Sequence, residues 1–354
     1  MKEQLDEYLR LSIILYRKLS KEEGPFDKLQ TREFRKIISE LAAYDPKIAD
    51  PFFPYLLYSN FIHLQEAMST VSEIPTEINS VLDVGSGLGA FALGAMMKGA
   101  KQATLLDMNV ALMDYGAELI GKMGYPVKTQ KWTYPAPLPK EKYDLIILGH
   151  SLFHLTENPN ELIERCMKQL NPQGYLLIVD SSQDNINRRV LRLRDDIVKA
   201  GHPIQAPCVW RGHCVALEAK VPCYAQRELY KPHMIGEIQR SAKINQNSLK
   251  MSYLIVNNTG WPRSDEEPLY RVISPPIDGY QGKLYYLCGK GGKKTISSRL
   301  NEHPKESRAF EYLKRGELIK VEECLESKNH FTISADAKVM VEAAVGKPVN
   351  KELS

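Results

Sequence analysis

The residues best suited to chemistry form a glycine-rich segment that carboxylates flank. The largely apolar stretch 81–84 predicts a strand, and three glycines follow it at alternate positions, Gly85, Gly87 and Gly89. Glycine lets the backbone turn tightly and lets a ligand approach where a Cβ atom would collide. Asp107 stands at the end of the next predicted strand, where a carboxylate can accept both ribose hydroxyls of an adenosine. The segment therefore predicts a site for an adenosine-containing ligand.

Two kinds of cofactor fit this turn, and charge distinguishes them. Gly85, Gly87 and Ala90 also match a variant of the dinucleotide fingerprint. Asp83 lies beside the loop, where its carboxylate would repel a pyrophosphate but attract the ammonium end of S-adenosylmethionine. We therefore predict S-adenosylmethionine, with Asp83 orienting its amino end, Asp107 holding its ribose and the three glycines passing close to it. A glycine turn without a ligand is the remaining alternative.

The cysteines predict a second site. The chain has six of them, and four fall within one region, Cys208, Cys214, Cys223 and Cys288. Thiolates favour zinc or iron–sulfur clusters, and four of them complete either kind of site. The spacings differ from the close Cys-x2-Cys pairs of zinc ribbons, and neighbouring histidines leave a mixed Cys/His zinc site open. Two alternatives are a nucleophilic Cys208 and four unrelated cysteines that are buried as small apolar residues.

Alternating strands and helices, which would position these residues, begin at residue 80. The predicted strands are short, mostly apolar runs between helical patterns, at residues 80–84, 103–106, 127–131, 143–148 and 175–179. This alternation predicts an α/β fold, a doubly wound Rossmann-like sheet of the class I methyltransferase type. Ligands in such sheets bind at the carboxyl ends of the strands, which is where the glycines and Asp107 lie.

The same patterns divide the chain into five parts. They predict a helical N-terminal region, an S-adenosylmethionine-binding Rossmann-like domain, a cysteine-rich cluster insertion, a β-rich completion with the fourth cysteine and a polar tail, at residues 1–78, 79–200, 201–235, 236–320 and 321–354. The first part includes apolar residues at helical spacing within residues 34–41. The third is rich in proline and glycine, and a loop of this length is usually functional or disordered.

Three further residues are candidates for the site. Trp132 follows the third predicted strand and could contact adenine, although a tryptophan there is more often a core residue. His150 and His154 follow the fourth predicted strand and could line the site, although packed or exposed histidines are more common. The Asn/Asp-Pro-Pro-aromatic motif typical of attack on a base amino group is absent there, so that chemistry has no support. We predict no specific catalytic residue.

Composition and charge limit the classes of protein. The apolar fraction of 43% and the charged fraction of 25% are typical of globular proteins. No run approaches the roughly 20 apolar residues of a membrane helix, and the first residues show no signal-peptide pattern. We therefore expect a cytoplasmic protein without a membrane partner, in a compartment where disulfides are rare. The net charge is only +4.

Basic residues nevertheless form two clusters that suit either a phosphate backbone or a solvated surface. The first cluster contains Arg188, Arg189, Arg192 and Arg194. The second contains Lys283, Lys290, Lys293, Lys294 and Arg299, with Arg308, Lys314 and Arg315 beyond it.

Segments between about residue 51 and residue 320 carry a family resemblance. Besides the glycines and the four cysteines they include residues 206–208, 223–227, 249–254, 270–273 and 287–288. On these residues the chain resembles the mitochondrial small-ribosomal-subunit methyltransferase-like proteins and their bacterial relatives. The resemblance implies that Cys208, Cys214, Cys223 and Cys288 hold a 4Fe–4S cluster. The chain departs from the family's Cys-Pro-His and Cys-Pro patterns at Val209, Val215 and Tyr224, the residues that follow the first three cysteines.

The resemblance also implies binding to small-subunit rRNA during ribosome assembly, with the basic segments as RNA contacts. The first hypothesis is an S-adenosylmethionine-dependent methyltransferase-like protein that acts in rRNA methylation, subunit assembly or both. One alternative is a non-catalytic rRNA-binding assembly factor with a structural iron–sulfur cluster. Another is a zinc-bearing small-molecule methyltransferase. We expect the free protein to be a monomer.

Overall fold

The computed structural model describes residues 1–21, 24, 35–36, 52–308 and 310–349. The apolar positions of the helical pattern predicted within residues 34–41 lie outside this part of the chain. None of the described helices is both long and apolar enough to cross a membrane. Two sheets of eight strands each organise the described residues.

The first sheet carries the glycine-rich segment. Its strands are β1 Ser80–Val84, β2 Gln102–Asp107, β3 Val127–Lys131, β4 Tyr143–Gly149, β5 Leu170–Ser181, β6 Ile204–Ala206, β7 Ala225–Glu228 and β8 Ser248–Asn257. Their order is β3-β2-β1-β4-β5-β8-β6, with β7 also paired to β8. Strands β1 to β5 run parallel, and β8 is antiparallel to β5, β6 and β7. The chain order reverses between β1 and β4, which is the switch point where such sheets bind ligands. The predicted doubly wound, Rossmann-like α/β fold is confirmed.

Helices cover both faces of this sheet. They are α1 Lys2–Ser20, α2 Asn60–Val71, α3 Ala90–Met97, α4 Val110–Lys122, α5 Leu152–Leu155, α6 Pro159–Gln169, α7 Asp184–Lys199, α8 Val215–Glu218 and α9 His233–Ser241, followed by α10 Pro304–Arg308 near the second sheet. Leu145 and Ile147 of β4 face a core shared with α1 to α4, whereas Ile146 and Leu148 face a core shared with α6 and α7. Because both faces are buried there, residues 145–148 of β4 form a continuous apolar run without polar alternation.

The N-terminal helical region is an integral part of this structure. A helical turn at Phe52–Pro54 and a π-helical turn at Tyr55–Ser59 lead into α2. Beyond α2, the buried Glu73 carboxylate accepts hydrogen bonds from Arg227 at 2.7 Å and from the Tyr253 hydroxyl at 2.8 Å. This buried ion pair joins the end of α2 to β7 and β8.

The second sheet follows the first in the chain. Its strands are β9 Leu269–Val272, β10 Ile277–Gly279, β11 Gly282–Gly289, β12 Gly292–Ser297, β13 Leu318–Glu322, β14 Leu325–Ser327, β15 His330–Thr332 and β16 Lys338–Ala343. Tyr285 and Phe310 lie in its own core, with ring centroids 5.1 Å apart. Strands β14 to β16 lie within residues 321–354, the segment for which the sequence predicts a polar tail, and no strand was predicted there. The sequence missed these strands because β14 and β15 have only three residues each, too few for a periodic pattern, and because β16 exposes apolar residues such as Met340 and Val341.

Candidate functional site

The glycine turn, Gly85 to Gly89, connects β1 to α3. Gly85, Gly87 and Gly89 all have positive φ values, of 71°, 53° and 70°. A Cβ atom on Gly85 would lie 2.6 Å from the Cβ of Ser151, whose hydroxyl donates a hydrogen bond to the Val84 carbonyl at 2.7 Å. Only glycine fits a left-handed backbone this close to a neighbouring loop. The turn is therefore tightly held against the end of β4.

Asp107 lies across this turn, at the carboxyl end of β2. One oxygen of its carboxylate accepts the backbone N–H of Gly87 at 2.8 Å, and the other accepts that of Asn109 at 2.8 Å. A carboxylate offers about four acceptor positions, so each oxygen has capacity left for a further donor. Asp107 is half-buried, and its remaining capacity suits two neighbouring hydroxyl groups.

Asp83 lies behind the turn, almost completely buried with 2% of its surface exposed. Its carboxylate accepts the backbone N–H of Ala92, in the first turn of α3, at 3.0 Å. Burial raises the pKa of Asp83 to about 7; the Ala92 hydrogen bond opposes this, and the charge of Asp107 adds to it. Asp83 thus links the end of β1 to the first turn of α3. Its role in orienting the amino end of the cofactor stays a prediction.

A cavity of about 570 Å³ opens beside the ends of β4 and β5. Its lining includes Tyr58, Lys250 and residues 181–183 after β5, together with several amide side chains, among them Gln226, Asn245, Gln246 and Asn247. The Tyr58 hydroxyl donates to the Gln246 side chain at 2.9 Å. The cavity is therefore rich in hydrogen-bonding groups, and part of its wall belongs to the N-terminal helical region.

Two histidines and a buried glutamate form one side of this cavity. Nε2 of His150 lies 2.7 Å from Oε2 of Glu66, and the rings of His63 and His150 stack with centroids 4.1 Å apart. Nδ1 of His150 lies 3.6 Å from Oδ1 of Asp180. Burial, and then the charge of His150, hold the pKa of His63 well below its usual range. We call His63, Glu66 and His150 the histidine cluster.

The sequence identified only one member of the histidine cluster. His150 lines the cavity, as considered from its place after β4, whereas His154 is exposed. His63 and Glu66 were not identified, although their spacing of three on α2 was a readable signal that both side chains share a helix face. Trp132 is buried, and its indole N–H donates to the carbonyls of Ala136 and Pro137, so it is a core residue.

Helix α7 holds the segment that carries the first three cysteines. Asn187, fully buried on α7, donates to the carbonyl of Cys223 at 2.7 Å and accepts its N–H at 3.2 Å. The Asp195 carboxylate accepts the N–H of Cys214 at 3.0 Å. The guanidinium of Arg194 donates to two carbonyls of the same segment and to the Cys208 thiol. Side chains of one helix thus contact the backbone of Cys214 and Cys223 and the thiol of Cys208.

The fourth cysteine reaches the same region from the second sheet. Cys288 of β11 pairs with Arg271 of β9, and Nε of Arg271 donates to the carbonyl of Pro207 at 3.0 Å. Burial, and then the charges of the other cysteines, raise the pKa of Cys288; the same two causes raise the pKa of Cys223 to about 12. All four thiols therefore lie near enough to interact electrostatically.

The four sulfur atoms are nevertheless not gathered at single-ion distances. Among the described residues, no three cysteine sulfurs lie within 4.8 Å of one another. A tetrahedral zinc site with Zn–S bonds of about 2.3 Å would space its sulfurs by about 3.8 Å. The predicted metal module is therefore not seen as a closed zinc site in this arrangement.

Several members of the basic clusters have partners within the protein. Arg194 is 2% exposed and serves the cysteine segment, so its reading as an RNA contact is corrected. Lys294 is 8% exposed and pairs with Glu326. Lys283, Lys290 and Arg299 also pair with carboxylates. Arg192 is exposed. Charge clustering in the sequence therefore overestimates the basic surface.

The topology of the first sheet, with the glycine turn and Asp107 at its carboxyl edge, is the fold of the S-adenosylmethionine-dependent methyltransferases. The model of the family described as mitochondrial small ribosomal subunit Rsm22 matches residues 59–312, and the chain belongs to this family.

Individual relatives match shorter stretches. The chain is 28% identical over 133 residues to the phosphoethanolamine N-methyltransferase of Plasmodium falciparum, over 36% of this chain and 50% of that protein. It is 27% identical over 137 residues to the ribosomal protein L11 methyltransferase of Staphylococcus saprophyticus, over 37% of this chain and 42% of that protein. The chain thus spans half or less of these relatives. The N-methyltransferase NodS from Bradyrhizobium japonicum, solved with S-adenosyl-L-homocysteine, is a structural neighbour at 16% identity and a TM-score of 0.38, covering 64% of this chain and 98% of that one.

Proposed function

We propose that this protein binds S-adenosylmethionine and acts in rRNA methylation, in assembly of the small ribosomal subunit, or in both. The observation that carries the proposal is the Asp107 carboxylate, which bridges the glycine turn and the start of α4 at the switch point of the sheet. Membership of the Rsm22 family supports the small subunit as the partner.

The glycine turn fits the cofactor chemically. Gly85, Gly87 and Gly89 adopt left-handed conformations in which a Cβ atom would collide with neighbouring side chains, and Asp107 retains acceptor capacity for the two ribose hydroxyls. Bound S-adenosylmethionine supplies a sulfonium methyl donor, which is already reactive. The protein would therefore contribute mainly proximity and orientation of the acceptor.

The cavity beside β4 and β5 suits a nucleotide acceptor. Its amide and hydroxyl groups can bond the edges of an unstacked base, and Lys250 at its rim can contact a phosphate. Residues of α2, in the N-terminal region, and residues of the Rossmann-like sheet together line this acceptor site. We propose single-stranded small-subunit rRNA as the ligand that enters it.

We further propose that Cys208, Cys214, Cys223 and Cys288 hold a 4Fe–4S cluster. The donor set is appropriate, since four thiolates ligate such clusters, and a four-iron cluster spaces its ligands more widely than a single ion. Nη2 of Arg271 supports the proposal, because it is buried beside Cys288 and has no hydrogen-bond partner among the described residues. A cluster sulfur would satisfy this donor and would tie the cysteine segment to the second sheet.

A second candidate function is a non-catalytic assembly factor. Both ring nitrogens of His150 face carboxylates, those of Glu66 and Asp180, which favours a structural role for this ring over that of a general base. In that case the cofactor and the cluster would stabilise an RNA-binding platform without methyl transfer.

Cofactor binding is tested by calorimetry with S-adenosyl-L-homocysteine. Replacing Asp107 by Asn should weaken binding by about 10- to 100-fold, because hydrogen bonds to a charged group contribute about 1.5–3 kcal/mol. Asp114→Asn, an exposed position on α4, is the matched control and should bind normally. Equal affinities of the wild type and Asp107→Asn would refute the assigned cofactor site.

Catalysis and assembly are separated in cells. Small-subunit rRNA methylation is mapped in strains that carry the wild type, a deletion or Asp107→Asn. Loss of one methyl mark in both altered strains supports the enzyme, whereas impaired assembly with unchanged methylation supports the assembly factor. Anaerobic purification tests the cluster: a brown protein with about four irons supports it, and a colourless protein with stoichiometric zinc contradicts it.

A further inference from the structure

The histidine cluster places three potential metal ligands together. One ligand atom from each of His63, Glu66 and His150 lies within 4.8 Å of the other two, and no other group of three among the described His, Cys, Asp and Glu residues does so. His63 and Glu66 are three residues apart on α2, so both project from one face of the helix. His150 joins them from the end of β4, with its backbone in the left-handed region at φ 53°.

The chemistry of these donors matches a divalent transition metal. Two imidazoles and one carboxylate form the ligand set of non-haem iron sites with open positions, and imidazole also suits zinc and cobalt. The rings of His63 and His150 stack face to face, with their planes only 16° apart. The hydrogen bond of 2.7 Å between His150 and Glu66 joins two of the ligand atoms, and an ion would replace its proton.

The surroundings complete such a site. A histidine that binds a metal usually directs its other ring nitrogen towards a carboxylate, and Nδ1 of His150 faces Asp180 at 3.6 Å. Glu66 and Asp180 are 4% and 7% exposed. Burying two carboxylates side by side is unfavourable, and a bound cation would offset this cost. Apart from the histidine cluster, Lys250 is the only charged side chain among the described residues that line the cavity, and it is exposed. The cavity itself leaves room for water or a ligand oxygen at the open positions.

We propose that His63, Glu66 and His150 bind a divalent transition-metal ion at the wall of the cavity, with Asp180 as the positioning residue for His150. The site lies apart from the four cysteines and uses none of the residues assigned to S-adenosylmethionine. The proposal is therefore independent of cofactor binding.

Cobalt titration of the full chain, without cofactor and under anaerobic conditions, tests the proposal. Cobalt bound by imidazole and carboxylate absorbs weakly in the visible range, whereas thiolate ligands add intense near-ultraviolet bands, so the two regions of the protein are distinguishable. We expect the wild type to bind one ion that gives the weak visible bands of nitrogen and oxygen ligands, separate from any cobalt bound by thiolates, and we expect His63→Ala and Glu66→Gln to lose these bands. Asp180→Asn should bind it about 10- to 100-fold more weakly, and the exposed His154→Ala is the matched control that should bind normally.

Unfolding temperatures in EDTA show whether each variant folds. His63→Ala removes a half-buried ring, so it keeps the test valid if Glu66→Gln, at a more buried position, does not fold. A folded His63→Ala protein with wild-type cobalt affinity would overturn the proposal, as would cobalt absorption that arises from thiolates alone. Either result would leave His150 and Glu66 as a structural ion pair.

Discussion

The buried Asp83 carboxylate predicts an unusual dependence of stability on pH. Its pKa rises from an ordinary 3.8 to about 7, chiefly because burial disfavours the charged form. A shift of about 3 units corresponds to about 4 kcal/mol, at about 1.4 kcal/mol per unit. Between about pH 4 and pH 7 the folded state holds more protons here than the unfolded state, so stability falls as pH rises. The stability that the protonated Asp83 carboxyl group contributes is fully present below about pH 4 and is lost as the pH rises through about 7.

Asp83→Asn removes this dependence while keeping the hydrogen bond, because an amide oxygen can still accept the N–H of Ala92 at the same position. We expect the variant to gain stability relative to the wild type as pH rises, by at most about 4 kcal/mol above pH 7. Urea unfolding of both proteins without cofactor at pH 5, 6, 7 and 8 measures this difference. Subtracting one profile of unfolding free energy against pH from the other removes the contributions of groups that titrate in both proteins.

Asp144→Asn provides a control of opposite sign. Partial burial raises the pKa of Asp144, but hydrogen bonds from Asn171 and from the N–H groups of Asn79 and Ser80 outweigh it and lower the pKa overall. Its stabilisation is present at neutral pH and is lost as pH falls through the acidic range, so its variant should be weakest relative to the wild type at neutral pH. Parallel pH profiles for the wild type and Asp83→Asn would refute the assignment of Asp83 as a buried carboxylate that titrates near neutrality.

Three further changes test other parts of the structure. Glu73→Ala leaves the charge of Arg227 buried without its partner, so we expect a loss of about 3–5 kcal/mol in the free energy of unfolding, and a loss below 1 kcal/mol would contradict it. Gly85→Ala forces a side chain into a left-handed position against Ser151, which should cost at least about 1–2 kcal/mol and weaken S-adenosyl-L-homocysteine binding in calorimetry. Arg194→Ala should release the cysteine segment and speed its limited proteolysis relative to Arg192→Ala, an exposed arginine of the same helix; equal cleavage rates would argue against it.

The parts of the fold that follow from local pattern were predictable from the sequence. Residues 145–148 of β4 form a continuous apolar run because both faces of the strand are covered there, and this signal needs no knowledge of distant residues. The glycine turn and Asp107 were predictable for the same reason. Each sits at the end of a strand, and parallel strands bring their carboxyl ends to one edge of the sheet.

The features that depend on distant contacts were not predictable. Glu66 and His150 are 84 positions apart and meet only because α2 packs on the sheet beside β4. Arg194 belongs to a run of arginines that resembles an exposed basic helix face, yet the cysteine segment folds over it and buries it. Charge alone does not show whether a guanidinium meets solvent or a set of backbone carbonyls.

The end of β5 connects the two candidate sites of the molecule. Asp180 faces the histidine cluster, and residues 181–183 line the cavity, immediately before α7 begins at Asp184. One turn further along, Asn187 of the same helix binds the backbone of Cys223 on both sides. Because α7 is a single helix with no break between these contacts, a displacement of the cysteine segment would be transmitted to the strand end that forms the cavity wall. The proposed cluster of the cysteines and the ligands of the cavity would therefore both depend on the position of α7.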